Sequence, residues 1–289
     1  CRTGQEAEIG SFQARALQHS PAAGAQHEGK ATGLVYAAAS AMRLRVVTWN
    51  IHKGIGGVDR RYRLERTIEV LAALRPDLAL LQEVAEGMPR CGMDNQLEEL
   101  TTALDMRHVA FGAEHRFRVG GYGNAILSRY PLTDSDRIDL TVGRRKRRGL
   151  VQARAHAKLE QGTRSVVVFN LHLGLSGAER AAQLERFLAC HPFEHLQRET
   201  PVIVGGDFND VWASLGKRFL EPVGFTRAGK LLPTFPAALP LRPLDGLWIR
   251  GGMSVISAHP VRTGLAQAAS DHLPIFAEVE LSPVSHVPA

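Results

Sequence analysis

Cysteine is scarce in this sequence of 289 residues, which has only three, Cys1, Cys91 and Cys190. They are widely separated and odd in number, and no pair stands at the close spacing of a cysteine zinc site. A disulfide framework is therefore not expected, and the chain suits a reducing compartment. We predict a cytoplasmic protein, for which peripheral association with a membrane stays open.

Long apolar runs are missing as well. The sequence has no stretch of about 18 apolar residues, so no transmembrane helix is expected. The longest apolar stretch near the start, residues 33–42, is too short to span a membrane and lacks the basic flank of a signal peptide. Aromatic residues make up only 6% and do not alternate with basic residues, as they do in stacking platforms for single-stranded nucleic acid.

Positive charge is in slight excess, with 35 Lys and Arg against 29 Asp and Glu and a net charge of +6. This balance suits a polyanionic partner without requiring one. The densest positive charge is the basic run 144–148, which is either a solvated loop between strands or a rim that attracts phosphate. Such a run attracts nucleic acid and anionic lipid alike, so both stay open as partners.

The composition changes sharply along the chain. Residues 1–41 are rich in Ala, Gly, Gln and His without sustained periodicity, which predicts a disordered extension before a plausible start at Met42. We expect one domain over residues 42–283, followed by a short tail at 284–289. Hydrophobic residues at 44% and charged residues at 22% are typical of a globular protein, and they exclude a collagen-like chain or a coiled coil.

Hydrophobic periodicity predicts the elements of this domain. Strands often follow one another without an intervening helix, so we expect an α/β fold with two mixed sheets and helices outside them. The predicted strands are 44–50, 78–82, 125–128, 138–142, 150–157, 165–171, 201–205, 246–249, 254–258 and 275–281, and the predicted helices are 61–74, 97–104 and 178–188.

Polar side chains collect where the predicted apolar strands end. Each one alone is usually a turn residue, a helix cap or a satisfied core histidine. Several carboxylates buried near one another are costly without a cation, and strand ends are places where a rigid frame holds functional groups. The set comprises Asn50, Glu83, His172, Asp207, Asn209, Asp245, Asp271 and His272.

The residue types in this set favour particular chemistry. Carboxylate and amide oxygens without cysteine suit a hard cation, Mg²⁺ or Mn²⁺, and two histidines beside carboxylates suit proton transfer and charge stabilisation. No GxSxG serine elbow and no GxxxxGKS/T phosphate loop occurs. The glycines at 54, 56 and 57 are too few for a dinucleotide fingerprint.

Six short motifs follow one another in a fixed order: Trp49-Asn50, Leu81-Gln82-Glu83, GNAILS at 123–128, Asn170-Leu-His172, GDFN at 206–209 and Ser270-Asp-His272. Together they resemble the signature of the endonuclease/exonuclease/phosphatase superfamily, the DNase I-like proteins. The stretch Asn50-Ile-His-Lys-Gly54 with Asp59-Arg-Arg-Tyr62 resembles a small bacterial subgroup of that superfamily. The resemblance covers Leu44 to about Leu281. It implies a four-layer α/β sandwich, with two mixed sheets packed face to face, and a metal-dependent hydrolase of phosphate esters, with nucleases among its members.

The resemblance also implies roles for individual residues. Glu83, Asn50 and Asp271 would hold Mg²⁺ or Mn²⁺. His272 would act as general base or transition-state stabiliser, oriented by Asp245. These roles agree with a mechanism in which water attacks phosphorus in line and no covalent enzyme intermediate forms.

Further roles concern the substrate. Asp207 and Asn209 would position the attacking water and the scissile phosphate, while His172 would contact phosphate oxygens. His52 and Lys53 are either phosphate contacts or parts of an exposed loop, and the aromatic residue next to Gly123 lines the cleft or packs on an edge strand. Substrate contacts are expected for Arg148, Tyr122 and Asn124.

One departure from the family pattern is Gly246, which stands after Asp245 where the family often has histidine. We expect activity to survive this change, because the aspartate is the partner of His272. The substrate stays open between nucleic acid, a phospholipid or sphingolipid headgroup, and an inositol phosphate. A catalytically silent phosphate-binding module on the same fold is the competing hypothesis, and we expect a monomer.

Overall fold

Two β-sheets form the centre of the fold in a computed structural model that describes residues 41–159 and 162–282. The predicted extension up to residue 40 and the predicted tail lie outside the described residues. The strands of the first sheet are β1 (Met42–Asn50), β2 (Leu78–Glu86), β3 (His108–Arg116), β4 (Gly121–Ser128), β11 (Met253–Pro260) and β12 (Ile275–Leu281). Those of the second are β5 (Leu132–Asp139), β6 (Gly149–Leu159), β7 (Gly162–His172), β8 (Val202–Asp207), β9 (Thr226–Arg227) and β10 (Asp245–Arg250).

Each sheet is mixed and holds one parallel pair near its centre. The first sheet has the order β11-β12-β1-β2-β4-β3, with β1 and β2 parallel, and the second has the order β5-β6-β7-β8-β10-β9, with β7 and β8 parallel. A hydrogen bond from Asn50 at the end of β1 to Asp207 at the end of β8 shows that both pairs finish at the same end of the sheets. We call this the site end.

Short helices cover the outer faces of the sheets. Three of them have a side chain at the N-terminal cap that accepts a backbone N–H, namely Asn95, Ser176 and Thr263, which satisfies donors left free at a helix start. The helices are α1 (Leu64–Leu74), α2 (Gln96–Leu104), α3 (Gly177–Leu188), α4 (His191–Glu194) and α5 (Gly264–Ala269), and shorter helical turns are His52–Gly54, Pro89–Cys91, Gly216–Leu220 and Glu221–Val223.

Three apolar cores separate four layers, because side chains alternate across each strand. On β1, Val46 faces the opposite sheet, while Val47 faces the core shared with α1, α2 and α5. On β7, Val168 faces the first sheet, and Phe169 packs edge-on against Phe187 of α3 with ring centroids 5.1 Å apart. The predicted four-layer α/β sandwich of two mixed sheets with outer helices is confirmed.

Several element limits differ from the sequence prediction. The strand predicted at 138–142 is β5, which runs over Leu132–Asp139; it is an edge strand with exposed middle residues and so lacks a clear alternation. The sequence patterns do not predict β3, whose inward residues Ala110, Gly112 and Glu114 include one small side chain and one charge. They also do not predict α4, α5 or β9, which are too short for a periodic signal.

No helix among the described residues is both long and apolar enough to cross a bilayer.

Candidate active site

A buried polar cross-link between the sheets forms the floor of the site. Gln82 Nε2 of β2 donates to Asn170 Oδ1 of β7 at 2.7 Å, and Asn170 Nδ2 donates to the carbonyls of Leu81 and Ala125 at 2.8 Å each. Both side chains are fully buried, so these bonds offset the cost of removing the amides from water. The cross-link fixes how the strand ends of the two sheets meet.

Asp207 is the centre of the site. Its Oδ1 accepts from the backbone N–H of Asn209 at 2.9 Å, and its Oδ2 accepts from Asn50 Nδ2 at 3.1 Å. The Nε2 atoms of His172 and His272 lie 3.5 and 3.7 Å from the same Oδ2. Burial raises the pKa of Asp207 to about 6, and the neighbouring Asp245 adds to the rise, whereas His272 opposes it.

His272 is paired with Asp245. Its Nδ1 lies 2.9 Å from Asp245 Oδ2, which also accepts from the hydroxyl of Thr234. The backbone of His272 is held as well, because its carbonyl accepts from the indole N–H of Trp49 at 2.8 Å. Burial alone would lower the pKa of His272, but the carboxylates of Asp245 and Asp207 outweigh it and raise the pKa to about 10. His272 is therefore protonated at neutral pH.

The pKa of His172 is shifted in the opposite direction from that of His272. Burial, reinforced by the Arg148 guanidinium and by protonated His272, lowers its pKa well below the ordinary value. Arg148 Nη1 lies 3.4 Å from His172 Nδ1, and because arginine can only donate, this nitrogen accepts. The proton of neutral His172 therefore sits on Nε2, which faces Asp207.

Glu114 on β3 is a buried site residue that the sequence patterns miss. Its Oε1 accepts from Asn124 Nδ2 at 2.9 Å and from the backbone N–H of Gly149 at 3.0 Å, while its Oε2 lies 3.6 Å from Arg148 Nη1. Burial raises the pKa of Glu114 to about 7 against the opposing effect of Arg148 and both hydrogen bonds. A glutamate at an inward position of β3 is the signal that could reveal it, once that strand is recognised.

The three residues that are expected to contact substrate have different surroundings in the structure. Arg148 lies beneath the site surface, between Glu114 and His172, and is almost fully buried. Asn124 is buried too, and its amide holds Glu114 and the carbonyl of Gly149. Tyr122 is buried as well, and its ring lies beside two cationic side chains, with Lys53 Nζ 4.7 Å and Lys146 Nζ 5.7 Å from its centroid.

Glu83, Asn50 and Asp271, which the sequence predicts as cation ligands, surround the end of β1. Asn50 is the register partner of Gln82, directly before Glu83. The hydroxyl of Ser270, directly before Asp271, donates to the Asn50 carbonyl at 2.7 Å. Glu83 itself has φ of 58° within an irregularity of the β2–β4 pairing, which turns it away from the regular ladder.

These three residues fit a hard divalent cation by their chemistry. They offer two carboxylates and one amide oxygen, the donors that Mg²⁺ prefers. Burial would raise the pKa of Glu83, but an ion pair with the Lys53 ammonium outweighs this effect and lowers the pKa, which favours the charged carboxylate that a cation requires. A second group, Asp207, Asp245 and His272, has one ligand atom from each within 4.8 Å of the others. In this second group, His272 Nδ1 already pairs with Asp245 Oδ2 at 2.9 Å.

Close contacts explain why a residue larger than glycine is disfavoured at position 246. A Cβ at this position would stand 3.1 Å from Phe208 Cε2 and 3.1 Å from Trp248 Nε1, which is tighter than ordinary contact. The two aromatic rings would therefore have to shift by a few tenths of an ångström to admit the histidine that the family often has after the aspartate. Asp245 keeps its pairing with His272 without that residue.

The fold and this site together define a DNase I-like sandwich with its polar centre at the carboxyl ends of the parallel strands. The family model of the endonuclease/exonuclease/phosphatase family matches residues 47–272. The chain therefore belongs to that family.

Known proteins similar to this chain agree with this assignment. The Escherichia coli K12 protein YbhP, which is uncharacterized, is 32% identical over 254 residues, covering 82% of this chain and 96% of its own. An endonuclease/exonuclease/phosphatase structure from Beutenbergia cavernae superimposes with a TM-score of 0.69 at 24% identity, over 84% of this chain and 73% of its own. A mannosyl-6-phosphatase from Bacteroides thetaiotaomicron has a TM-score of 0.62 at 14% identity, over 82% of this chain and 99% of its own. These two structures are similar to this chain in fold.

Proposed function

We propose that the protein is a divalent-metal-dependent phosphoesterase, which hydrolyses a phosphodiester or a phosphomonoester by in-line attack of water. The observation that carries the proposal is the convergence of three N–H donors on one buried spot. Asn50 Nδ2, His172 Nε2 and His272 Nε2 lie 3.1, 3.5 and 3.7 Å from Asp207 Oδ2. Donors held in a dry site stabilise negative charge that builds on phosphate oxygens.

The family of the chain supports this reaction class, and the phosphatase named above is one relative in fold whose activity is of the same kind. Mg²⁺ or Mn²⁺ would neutralise charge on a phosphate oxygen and on the leaving group. Glu83, Asn50 and Asp271 are the residues that would hold the cation. The largely buried Glu83 carboxylate, which already pairs with Lys53, is the central ligand of this set.

The pKa values of His272 and Asp207 indicate a different role for each residue in the reaction. With a pKa of about 10, His272 is a cationic donor and stabilises developing charge rather than removing a proton from water. Asp207, with its pKa raised to about 6, is ionised near neutrality and is the better proton acceptor. Asn209 supports Asp207 through its backbone N–H, while its own amide donates to the carbonyl of Leu173 at 2.9 Å.

A screen with purified protein tests the proposal. Bis(4-nitrophenyl) phosphate, plasmid DNA, an abasic duplex, phospholipid and sphingomyelin vesicles, and inositol phosphates are offered with Mg²⁺ or Mn²⁺ and then with chelator. We expect turnover of at least one of these esters that chelator abolishes. Absence of turnover from all of them with either metal would favour the catalytically silent phosphate-binding module.

Glu83→Gln tests the cation site directly. The change keeps the shape but removes the charge, so we expect Mn²⁺ binding to weaken by at least about tenfold and turnover to be nearly abolished. Calorimetric titration with Mn²⁺ measures the first effect independently of activity. Glu86→Gln is the matched control, because Glu86 is exposed on the same strand. Unchanged Mn²⁺ affinity in Glu83→Gln would remove Glu83 from the cation site.

A further inference from the structure

The loops at the site end form a rim around the candidate catalytic groups. The rim is the set of connections that follow the parallel strands or precede their antiparallel neighbours: residues 51–63, 87–95, 117–120, 140–148, 173–176, 208–215, 228–244 and 261–274. Contacts tie several of these loops to the site itself. The Phe235 ring lies 4.9 Å from the His272 ring, and the N–H of Ala237 donates to the carbonyl of Asp271 at 2.7 Å.

The rim carries almost all of the exposed large apolar side chains. Among the described residues, ten such side chains are exposed and nine lie on the rim, although the rim holds only about a third of those residues. The most exposed are Trp212 at 84%, Leu175 at 75%, Val58 at 71%, Leu241 at 69% and Leu239 at 67%. Loops at the opposite end, in the part that the structure describes, carry none. Scattered apolar residues are ordinary on a surface, but a set gathered around one opening marks a contact region.

Basic residues lie between these exposed apolar side chains, which we call the apolar tips. Rim loops 117–120, 140–148, 173–176 and 228–244 contain no acidic residue, and they hold Arg118, the basic run 144–148, Lys230 and Arg242. Lys146 and Phe117 both approach the Tyr122 ring, and Arg145 Nη1 donates to the hydroxyl of Ser176 beside Leu175 at 3.0 Å. The basic run therefore joins apolar tips on either side of it.

A cleft in this part of the rim combines both kinds of surface. Its volume is about 350 Å³, and Lys146, Leu175 and the pair formed by Arg145 and Glu179 contribute to its lining. Because Arg148, which also lines the cleft, contacts His172, the cleft opens beside the site. Lys146 and Leu175 are the lining residues that an anionic group with an attached apolar chain would meet.

We infer that the rim is a docking surface for an anionic phospholipid bilayer, which presents a headgroup phosphate ester to the site. The apolar tips enter the boundary between headgroups and acyl chains, and the basic residues meet the anionic headgroups. Duplex DNA would satisfy the basic residues but would give Leu175, Leu239 and Leu241 nothing apolar to enter. The choice of a lipid headgroup as substrate rests on the proposed phosphoesterase function, whereas docking does not.

Trp212 is a built-in probe of this surface. The other two tryptophans, Trp49 and Trp248, are buried, so a change in the environment of an exposed tryptophan reports on Trp212. The full chain is mixed with vesicles of phosphatidylglycerol and phosphatidylcholine, or of phosphatidylcholine alone. We expect cosedimentation and a blue shift of tryptophan emission with the anionic vesicles, together with quenching by brominated acyl chains. Trp212→Phe should remove the shift and the quenching while sedimentation persists.

Two variants distinguish vesicle binding through the rim from binding through other parts of the surface. Leu239→Ser combined with Leu241→Ser should weaken binding to anionic vesicles by about tenfold or more, since two apolar side chains no longer enter the bilayer. Ile256→Ser is the control, because Ile256 is exposed on β11 away from the rim. Equal loss in both variants, no vesicle binding, or binding without quenching of Trp212 would overturn the inference. So would a rim that binds duplex DNA, or a second copy of the chain, instead of vesicles.

Hydrolysis of bis(4-nitrophenyl) phosphate separates failure of docking from failure of the proposed function. Turnover of this soluble ester without vesicle binding would overturn docking and leave the phosphoesterase in place. Vesicle binding through the rim without turnover of any ester would overturn the phosphoesterase and leave docking in place. We expect the Leu239 and Leu241 double variant to lose hydrolysis of vesicle phospholipid much more than hydrolysis of the soluble ester.

Discussion

At the scale of single residues, Asp245 and His272 contact each other only because of the fold. They are 27 residues apart in sequence, and their side chains meet at 2.9 Å. Asp245 holds the orientation of the imidazole and favours its protonated form. A shared role of this kind makes the effects of removing either residue strongly non-additive.

We therefore predict that His272→Ala lowers the rate on the order of 10²–10³-fold, the range for the loss of one donor that stabilises charge in the transition state. Asp245→Asn should cost less, because a neutral side chain still orients the ring. The double variant should be little slower than His272→Ala alone. Rates are measured at saturating metal, so that weak metal binding does not imitate a catalytic defect. Losses that multiply in the double variant would show that the two residues act independently.

Glu114 gives a prediction about the dependence of stability on pH. Its pKa is about 7 in the folded protein against an ordinary value of 4.5, so the folded state holds this proton more tightly than the unfolded state. The contribution of Glu114 to the free energy of unfolding is therefore largest at low pH, where the carboxyl is protonated. It falls between about pH 4.5 and 7 and levels off above pH 7. Glu114→Gln should remove this contribution while keeping an oxygen for Asn124 and Gly149.

Urea unfolding of both proteins at several pH values measures the effect. The free energy of unfolding of the unaltered protein, minus that of Glu114→Gln, should fall by about 3 kcal/mol from pH 4.5 to 7. Taking this difference cancels the other groups that titrate in the same window. A difference that stays constant with pH, or one that rises, would contradict the raised pKa.

At the scale of elements, the cross-link between β2 and β7 sets the distance between the two halves of the site. Asn170 serves three buried partners, Gln82 Nε2 and the carbonyls of Leu81 and Ala125. Asn170→Ala leaves the two carbonyls without this donor, whereas Gln82 Nε2 still donates to the Leu80 carbonyl at 2.9 Å and to Thr48 Oγ1 at 3.2 Å. An unsatisfied buried group costs roughly 1–3 kcal/mol.

We predict that Asn170→Ala lowers the free energy of unfolding by about 3 kcal/mol or more. Asn95→Ala is the control, because Asn95 only caps α2 and its loss should cost about 1 kcal/mol. Urea denaturation of both variants at one pH gives the comparison. Equal losses would mean that water or a shift of the strands replaces the cross-link.

At the scale of the whole molecule, the domain limits predicted from composition remain a prediction. Both sheets are complete between Met42 and Leu281. We expect a chain that begins at Met42 to match the full chain in turnover and in melting temperature. Thermal unfolding and ester hydrolysis measured side by side test this. A loss of several degrees would show that the preceding residues stabilise the domain.

The sequence by itself determined the class of fold and most of the candidate site residues. Alternating and helical apolar spacing is a local signal, so it found the central strands and α1, α2 and α3, and polar residues at strand ends pointed to the site. Local signals fail for elements such as β3, where an inward charge, Glu114, interrupts the apolar pattern.

Only the tertiary structure decided how those residues work together. Asn50 and Asp207 are separated by 157 residues and meet in one hydrogen bond. The opposite protonation of His172 and His272 follows from burial and from the charges that surround each ring, Arg148 for one and two carboxylates for the other. The apolar rim is likewise visible only when loops from distant parts of the chain stand at the same end of the sheets. Burial, distance and charge are properties of the packed chain, and no local pattern encodes them.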